Sequence, residues 1–216
     1  TGGSSYLAHV GHAAAAIKAG KCNVALVTLA GKPRTGTAAE RMQMMAGPET
    51  PFEMMWGSNG APNSYALAAQ RHMHEFGTTS RQLAEIKVAA SIHARHNPNA
   101  FLQNVVTIDE VLESPMVSDP LHRLDCCVVT DGGGALVIVS PEVAKSLGKT
   151  NAKVLGHGEA IKHTDNGRID LTYTGAVWSG PRAFSEAGLT VKDVDYASIY
   201  DSFTITVLQT IEDLGF

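Results

Sequence analysis

Tyr200-Asp201-Ser202-Phe203 ends a short apolar stretch and precedes a helical pattern, so it sets a phenol and a carboxylate at a strand-to-helix corner. A phenol placed there can donate to a developing oxyanion or carry a proton. Asp201 would position its neighbours or cap the helix that follows. Cys126-Cys127 is a second chemical feature. Adjacent cysteines do not suit zinc, whose paired thiolates are spaced by two to four residues, and a buried inert thiol is the competing reading. Ser4 precedes a helical run, where its hydroxyl would cap the helix; as a nucleophile it has no adjacent base. His9 and His12 share a helix face, but no nearby carboxylate or cysteine completes a metal set, so a structural or pocket role is expected. Asp131-Gly132-Gly133-Gly134 is followed by no Gly-Lys-Ser/Thr, so it reads as a sharp turn entering a strand rather than a phosphate loop. His72, His74, His93 and His96 read as surface residues. Met42, Met44, Met45, Met54 and Met55 read as gap-filling core beside Trp56.

The elements that must hold these residues follow from pattern. Residues 4–20 read as a helix stopped by Gly20. The apolar run Val24–Ala30 reads as a strand covered on both faces, and so does Ala135–Val139. Helices are expected over 64–75, over 82–95 with Ser80 as cap, over 107–112, over 141–147 and over 204–213. Another falls within 174–187, stopped by Gly188. Lys153–Gly158 reads as a strand, 191–195 as a turn and 197–200 as a strand end. Helix, short turn and buried strand in succession are the grammar of a layered α/β domain.

Bulk properties narrow the function. The 216 residues can bury a sizeable core, and 44% of them are hydrophobic. A formal net charge of -4 gives no reason to expect nucleic-acid binding. No apolar run approaches the roughly 20 residues that span a bilayer. Three cysteines, one adjacent pair among them, form no disulfide framework, so a reducing, cytoplasmic setting is the expectation. Thr1-Gly2-Gly3 and Leu214-Gly215-Phe216 read as cut ends of a longer chain.

Three ordered stretches resemble the thiolase superfamily, in the branch near the sterol-carrier-protein-type thiolases and the lipid-transfer-protein-like acyl-CoA aldolases. They are Gly2-Gly3-Ser4-Ser5-Tyr6 through Gly20 with the Val24–Ala30 run; Ser118-Asp119-Pro120-Leu121-His122-Arg123-Leu124-Asp125-Cys126-Cys127 into Thr130-Asp131-Gly132-Gly133-Gly134-Ala135; and Tyr200-Asp201-Ser202-Phe203 with Leu214-Gly215 downstream. The resemblance implies an α/β thiolase fold of two βαβαβαββ halves in αβαβα layers, incomplete at both ends, with an inserted loop domain. Residues 1–48 and 122–142 would belong to the first half, 49–121 to the loop domain, and 151–216 to the start of the second half.

The resemblance also assigns roles. The family's nucleophilic cysteine falls on Gly3, which has no side chain, and a one-residue slip would place Ser4 there. Helix N–H groups at Gly3-Ser4 could still face a thioester carbonyl. Tyr200 stands where the family has an oxyanion-hole Asn or His, and a Tyr at this corner is implicated in proton transfer in the aldolases. The loop at Cys127 would line the pantetheine tunnel, with Asp131 and Gly132 as further CoA-binding candidates. The expected activity is retro-aldol cleavage of a β-hydroxyacyl-CoA, with CoA entering as part of the substrate and no separate cofactor or metal. The alternatives are a thiolase-type acyltransferase and a non-catalytic acyl-CoA-binding subunit. A homodimer and a small zinc-ribbon/OB-fold partner are the expected assembly.

Overall fold

The computed structural model describes residues 5–37, 48, 50–58, 60–149, 151–163 and 165–216. Gly3, Ser4, Met42, Met44 and Met45 lie outside them. The chain divides into two compact units. This partition follows packing, whereas the boundaries expected above follow motifs.

The first unit takes the described residues of Thr1–Thr37, Val129–Lys162 and Gly175–Asp195. Helix α1 (Ser5–Lys18) ends before Gly20, whose φ of 70° is the left-handed conformation that stops a helix at little steric cost. Strand β1 (Val24–Gly31) pairs antiparallel with a second strand, Gly132–Val139, with Val24 opposite Val139 and Gly31 opposite Gly132. Ala25 and Val27 are half-buried while Val24, Leu26 and Thr28 are exposed, the period-two signature of a ribbon covered on one face. The expectation that both runs are covered on both faces is therefore corrected. Leu26 and Val137 are each 64% exposed, because among the described residues each strand pairs only with the other.

Lys153–Gly158 is also corrected: it forms no strand. It lies instead against the helix Ala176–Ala187, so closely that a Cβ on Gly156 or Gly158 would collide with the carbonyl oxygens of Ala183 and Ser179. Only glycine permits that approach. The same helix ends at Gly188, with φ 67°.

The second unit takes the described residues of Ala38–Val128, His163–Thr174 and Tyr196–Phe216. Its helices are α2 (Thr50–Met55), α3 (Ala61–Phe76), α4 (Ser80–Arg95) and α5 (Ile108–Glu113), with a final helix over Thr204–Leu214. In chain order the remaining elements are β2 (Met116–Ser118), β3 (Leu121–His122), β4 (Gly132–Val139), α6 (Pro141–Ser146), α7 (Ala176–Ala187) and α8 (Thr204–Leu214). The start of α4 is capped by Thr79 rather than Ser80: Thr79 Oγ1 accepts from the Gln82 N–H, and the Gln82 side chain accepts from the Thr79 N–H. Thr107 and Glu110 make the same reciprocal box at α5. The core gathers Ala66 and Ala69 of α3, Leu83 of α4, Leu121 of β3, and Phe203 and Ile205 at the start of α8. Met54 and Met55 are 65% and 82% exposed, so these two methionines are not core filling.

One polar contact ties the middle of the chain to its last helix. Asp125 is 4% exposed, and its carboxylate accepts from the His122 N–H at 2.9 Å and from the Thr204 hydroxyl at 2.8 Å. A buried carboxylate left short of a donor costs free energy that water no longer offsets. Thr204→Val keeps the shape and removes the hydroxyl. We expect it to lower unfolding stability by about 1–3 kcal/mol in urea titration with an unchanged m-value.

Candidate functional site

The site belongs to the second unit and is built by a backbone pairing. Cys126 bridges Phe203 in antiparallel fashion, and the Cys127 N–H donates to the Ser202 carbonyl at 3.0 Å. This pairing brings the Cys126-Cys127 segment alongside Tyr200-Asp201-Ser202-Phe203. Phe203 anchors it: the ring is 5% exposed and stacks on Tyr65 of α3 with centroids 4.4 Å apart. Asp125 fixes the segment just before the thiols, and Thr204 the first turn just after the corner.

Tyr200 is thereby held beside Cys127, Asp201 and Tyr65, with its side chain open to solvent. Burial of part of the ring raises its pKa above the ordinary phenol value. The nearby Cys127, Tyr65 and Asp201 add to the rise, because a phenolate there would face other negative charge. Burial also raises the Cys127 thiol, and Asp201 adds to that, while the Lys87 ammonium pulls the other way. Cys126 is pushed up to about 11 by burial, then by Asp125 and Cys127. Its Sγ approaches the His122 carbonyl at 3.4 Å. At neutral pH the corner therefore presents a protonated phenol and two protonated thiols. That suits proton donation and does not suit thiolate attack.

The structure thus brings Tyr200, Asp201 and Cys127 together. Asp131 and Gly132 fall in the first unit. There the Asp131 carboxylate accepts from the Arg34 N–H at 2.7 Å and from the Thr35 hydroxyl at 2.5 Å, bracing the turn that follows β1. These bonds hold its carboxyl below the usual range. Gly132 opens β4 opposite Gly31, and both line an open hollow of about 510 Å³ with Asp131, Lys32, Ala30 and Gly133.

Three side chains escaped the reading of motifs. Tyr65 carries no motif, yet it is spaced with Ala69 and His72 along one face of α3. Lys87 lies four residues from the buried Leu83 and four from the buried Ser91, so it falls on the packed stripe of α4. His72 was expected at the surface and is instead 1% exposed, so that expectation is corrected. It belongs to the packed face of α3, and its ring nitrogens meet the Thr78 hydroxyl and the Glu212 carboxylate of α8. In the first unit, the carboxylate that sequence spacing could not supply to the His9–His12 pair is Glu159, 2.9 Å from His12 Nε2. Even so, among the described residues no three histidine, cysteine or acidic side chains are placed to hold a metal ion.

Because both thiols are raised, the thiolate share at a given pH is reduced. At pH 8 Cys126 holds a thiolate fraction on the order of one in a thousand. In a Cys22→Ser background, alkylation of Cys126 and Cys127 by iodoacetamide should be slower than that of free glutathione. The rate should climb through pH 9–10 without a plateau. A plateau by pH 8 would contradict this account.

Residues 158–216 match the family model described as thiolase C-terminal domain-like. An acetyl-CoA acetyltransferase of Methanothermobacter thermautotrophicus is 37% identical over 72% of this chain and 41% of its own length. A steroid side-chain-cleaving aldolase of Thermomonospora curvata is 36% identical over 74% of this chain and 43% of its own length. Among solved structures, the Ltp2-ChsH2(DUF35) aldolase superposes with a TM-score of 0.88 at 32% identity. That match covers all of this chain and 57% of that one. The chain spans about half the length of the relatives it matches. With that sequence likeness and that superposition, the chain belongs to the thiolase superfamily, in the branch near the sterol-carrier-protein-type thiolases.

Proposed function

We propose that the chain is part of an acyl-CoA enzyme that cleaves a β-hydroxyacyl-CoA by a retro-aldol reaction, with Tyr200 as the proton donor. The observation that carries the reading is the corner itself: a solvent-open phenol beside the Cys127 thiol, which is held protonated. In the reaction a general base takes the proton of the β-hydroxyl. The Cα–Cβ bond breaks, its electron pair passes into the thioester enolate, and an aldehyde or ketone leaves. Tyr200 then gives its proton to Cα and recovers one from solvent. No covalent intermediate forms, so no thiolate is required. The raised pKa of Tyr200 keeps its hydroxyl protonated throughout the neutral range. In this reading Cys127 lines the acyl-CoA path, and backbone N–H groups near Gly3-Ser4 or the Tyr200 hydroxyl stabilise the enolate oxygen. The likeness to an aldolase that cleaves steroid side chains supports a bulky acyl group. The two-protein name of the superposing aldolase supports a partner protein, for which this reading takes a small one of zinc-ribbon/OB-fold type. A cytoplasmic homodimer completes this reading.

The acetyltransferase relative favours a second reading, Claisen chemistry through a nucleophile. One assay separates them. The full-length protein, with and without its partner, is given a β-hydroxyacyl-CoA, and separately a β-ketoacyl-CoA plus CoA. Release of an aldehyde or ketone from the first supports the lyase. CoA-dependent cleavage of the second would sink it. CoA binding without either activity points to a supporting subunit.

Tyr200→Phe should lower cleavage by about 10²–10⁴-fold while leaving acyl-CoA affinity in place. Proton donation is lost as the phenol ionises, so wild-type activity should fall only above the ordinary phenol pKa. That alkaline limb should vanish in Tyr200→Phe, read from kcat against pH.

A further inference from the structure

Helices α3 and α8 touch at two points. At one end the Tyr65 ring stacks on Phe203, the residue just before α8. At the other, His72 Nε2 lies 2.9 Å from a Glu212 carboxylate oxygen. His72 Nδ1 lies 2.8 Å from the Thr78 hydroxyl, and its ring packs 4.7 Å from that of Phe76. With Glu212 ionised, Nε2–H donates to the carboxylate and Nδ1 accepts from Thr78. Tyr65 and His72 are seven residues apart, about 10.5 Å along α3. Phe203 and Glu212 are nine apart, about 13.5 Å. The two contacts therefore join start to start and end to end, with Ala66 and Ala69 sharing one apolar cluster with Ile205 and Leu208 between them. Small alanines allow the helices to approach, but they give little resistance to sliding. The directional bonds of a buried imidazole supply that resistance.

We propose that His72 is a positioning residue for the Tyr200 corner, fixing the register of α3 against α8 and so the place of Tyr65 beside Tyr200. Among the described residues Tyr200 has no hydrogen-bonded partner; its surroundings are set by Cys127, Asp201 and Tyr65, and Tyr65 is held there by α3. A shift of α3 along α8 would move Tyr65 off Phe203 and loosen the ring pair that backs the corner. The proposal rests on the reading of Tyr200 as proton donor for its effect on rate, but not for its effect on geometry.

The test uses the full-length protein with its partner and three variants: His72→Phe, which keeps the ring and removes both bonds; Glu212→Ala, which removes one bond at a half-exposed position; and His72→Gln, which restores polar groups. The first readout is kcat and KM on the β-hydroxyacyl-CoA. His72→Phe and Glu212→Ala should each lower kcat about tenfold, the order of one hydrogen bond, with KM within twofold. His72→Gln should recover most of the loss. The second readout needs no activity: the Tyr200 phenol is titrated by ultraviolet absorbance as the difference between each protein and its Tyr200→Phe counterpart. Its midpoint should move toward that of free tyrosine in His72→Phe and Glu212→Ala, and return in His72→Gln. If His72→Phe does not fold, Glu212→Ala decides both readouts. An unchanged Tyr200 titration in the folded variants overturns the proposal, whatever the rates do. A shifted titration with an unchanged kcat upholds the placement and instead removes Tyr200 from the chemistry.

Discussion

The Asp125 carboxylate accepts from two donors that lie 79 and 3 residues from it in the sequence: the Thr204 hydroxyl at the start of α8 and the His122 N–H on its own loop. Because Asp125 is buried, neither bond can be exchanged for water without cost. Everything chemical in the second unit hangs from this knot. It sets Cys126 against Phe203 and Cys127 against Ser202, and it seats α8 with Phe203 under the Tyr65 ring. Tyr200 and Asp201 come to the thiols because the chain on both sides of the corner is already held.

The electrostatics of the corner follow from the same packing. Partial burial disfavours the charged forms of Cys126, Cys127 and Tyr200, and Asp125 and Asp201 add negative charge nearby. Lys87 opposes them at Cys127 without overcoming burial. Relatives that act through a cysteine must do the reverse and stabilise a thiolate. At this corner the arrangement favours groups that keep their protons, and the phenol and the Cys127 thiol are both open to solvent.

The first unit obeys a different constraint, close approach of backbone to backbone. Gly156 and Gly158 let their segment lie on the carbonyls of α7, and Gly11 does the same for the His157 ring against α1. The His157 N–H is held by the Glu186 carboxylate at 2.9 Å. Arg182 donates to the Glu159 carbonyl at 2.8 Å, and Glu159 in turn holds His12. The segment from Gly156 to Glu159 is therefore fixed by its contacts with helices, without the strand pairing its apolar pattern suggested.

Local rules were legible in the sequence. Helix positions followed the apolar period, and the ends of two helices followed Gly20 and Gly188, each with a positive φ that a side chain would strain. The thiolase likeness was legible too, because it rests on ordered motifs. What the sequence left open depended on partners far along the chain. It pointed to Ser80 as the cap of α4, where Thr79 caps instead. It showed His72 among charged residues, while burial came from an α3 face that meets α8 only in three dimensions. It paired Asp131 with the glycine turn, yet Arg34 and Thr35 claim its carboxylate. Sequence by itself determined where the helices would lie, since helix preferences act over a few residues, whereas Lys153–Gly158 and 197–200, read as extended, form no strand. Only the tertiary structure decided that Tyr200 would stand beside Cys127 and Tyr65, because that meeting is fixed by a buried carboxylate and a backbone bridge between residues almost 80 positions apart.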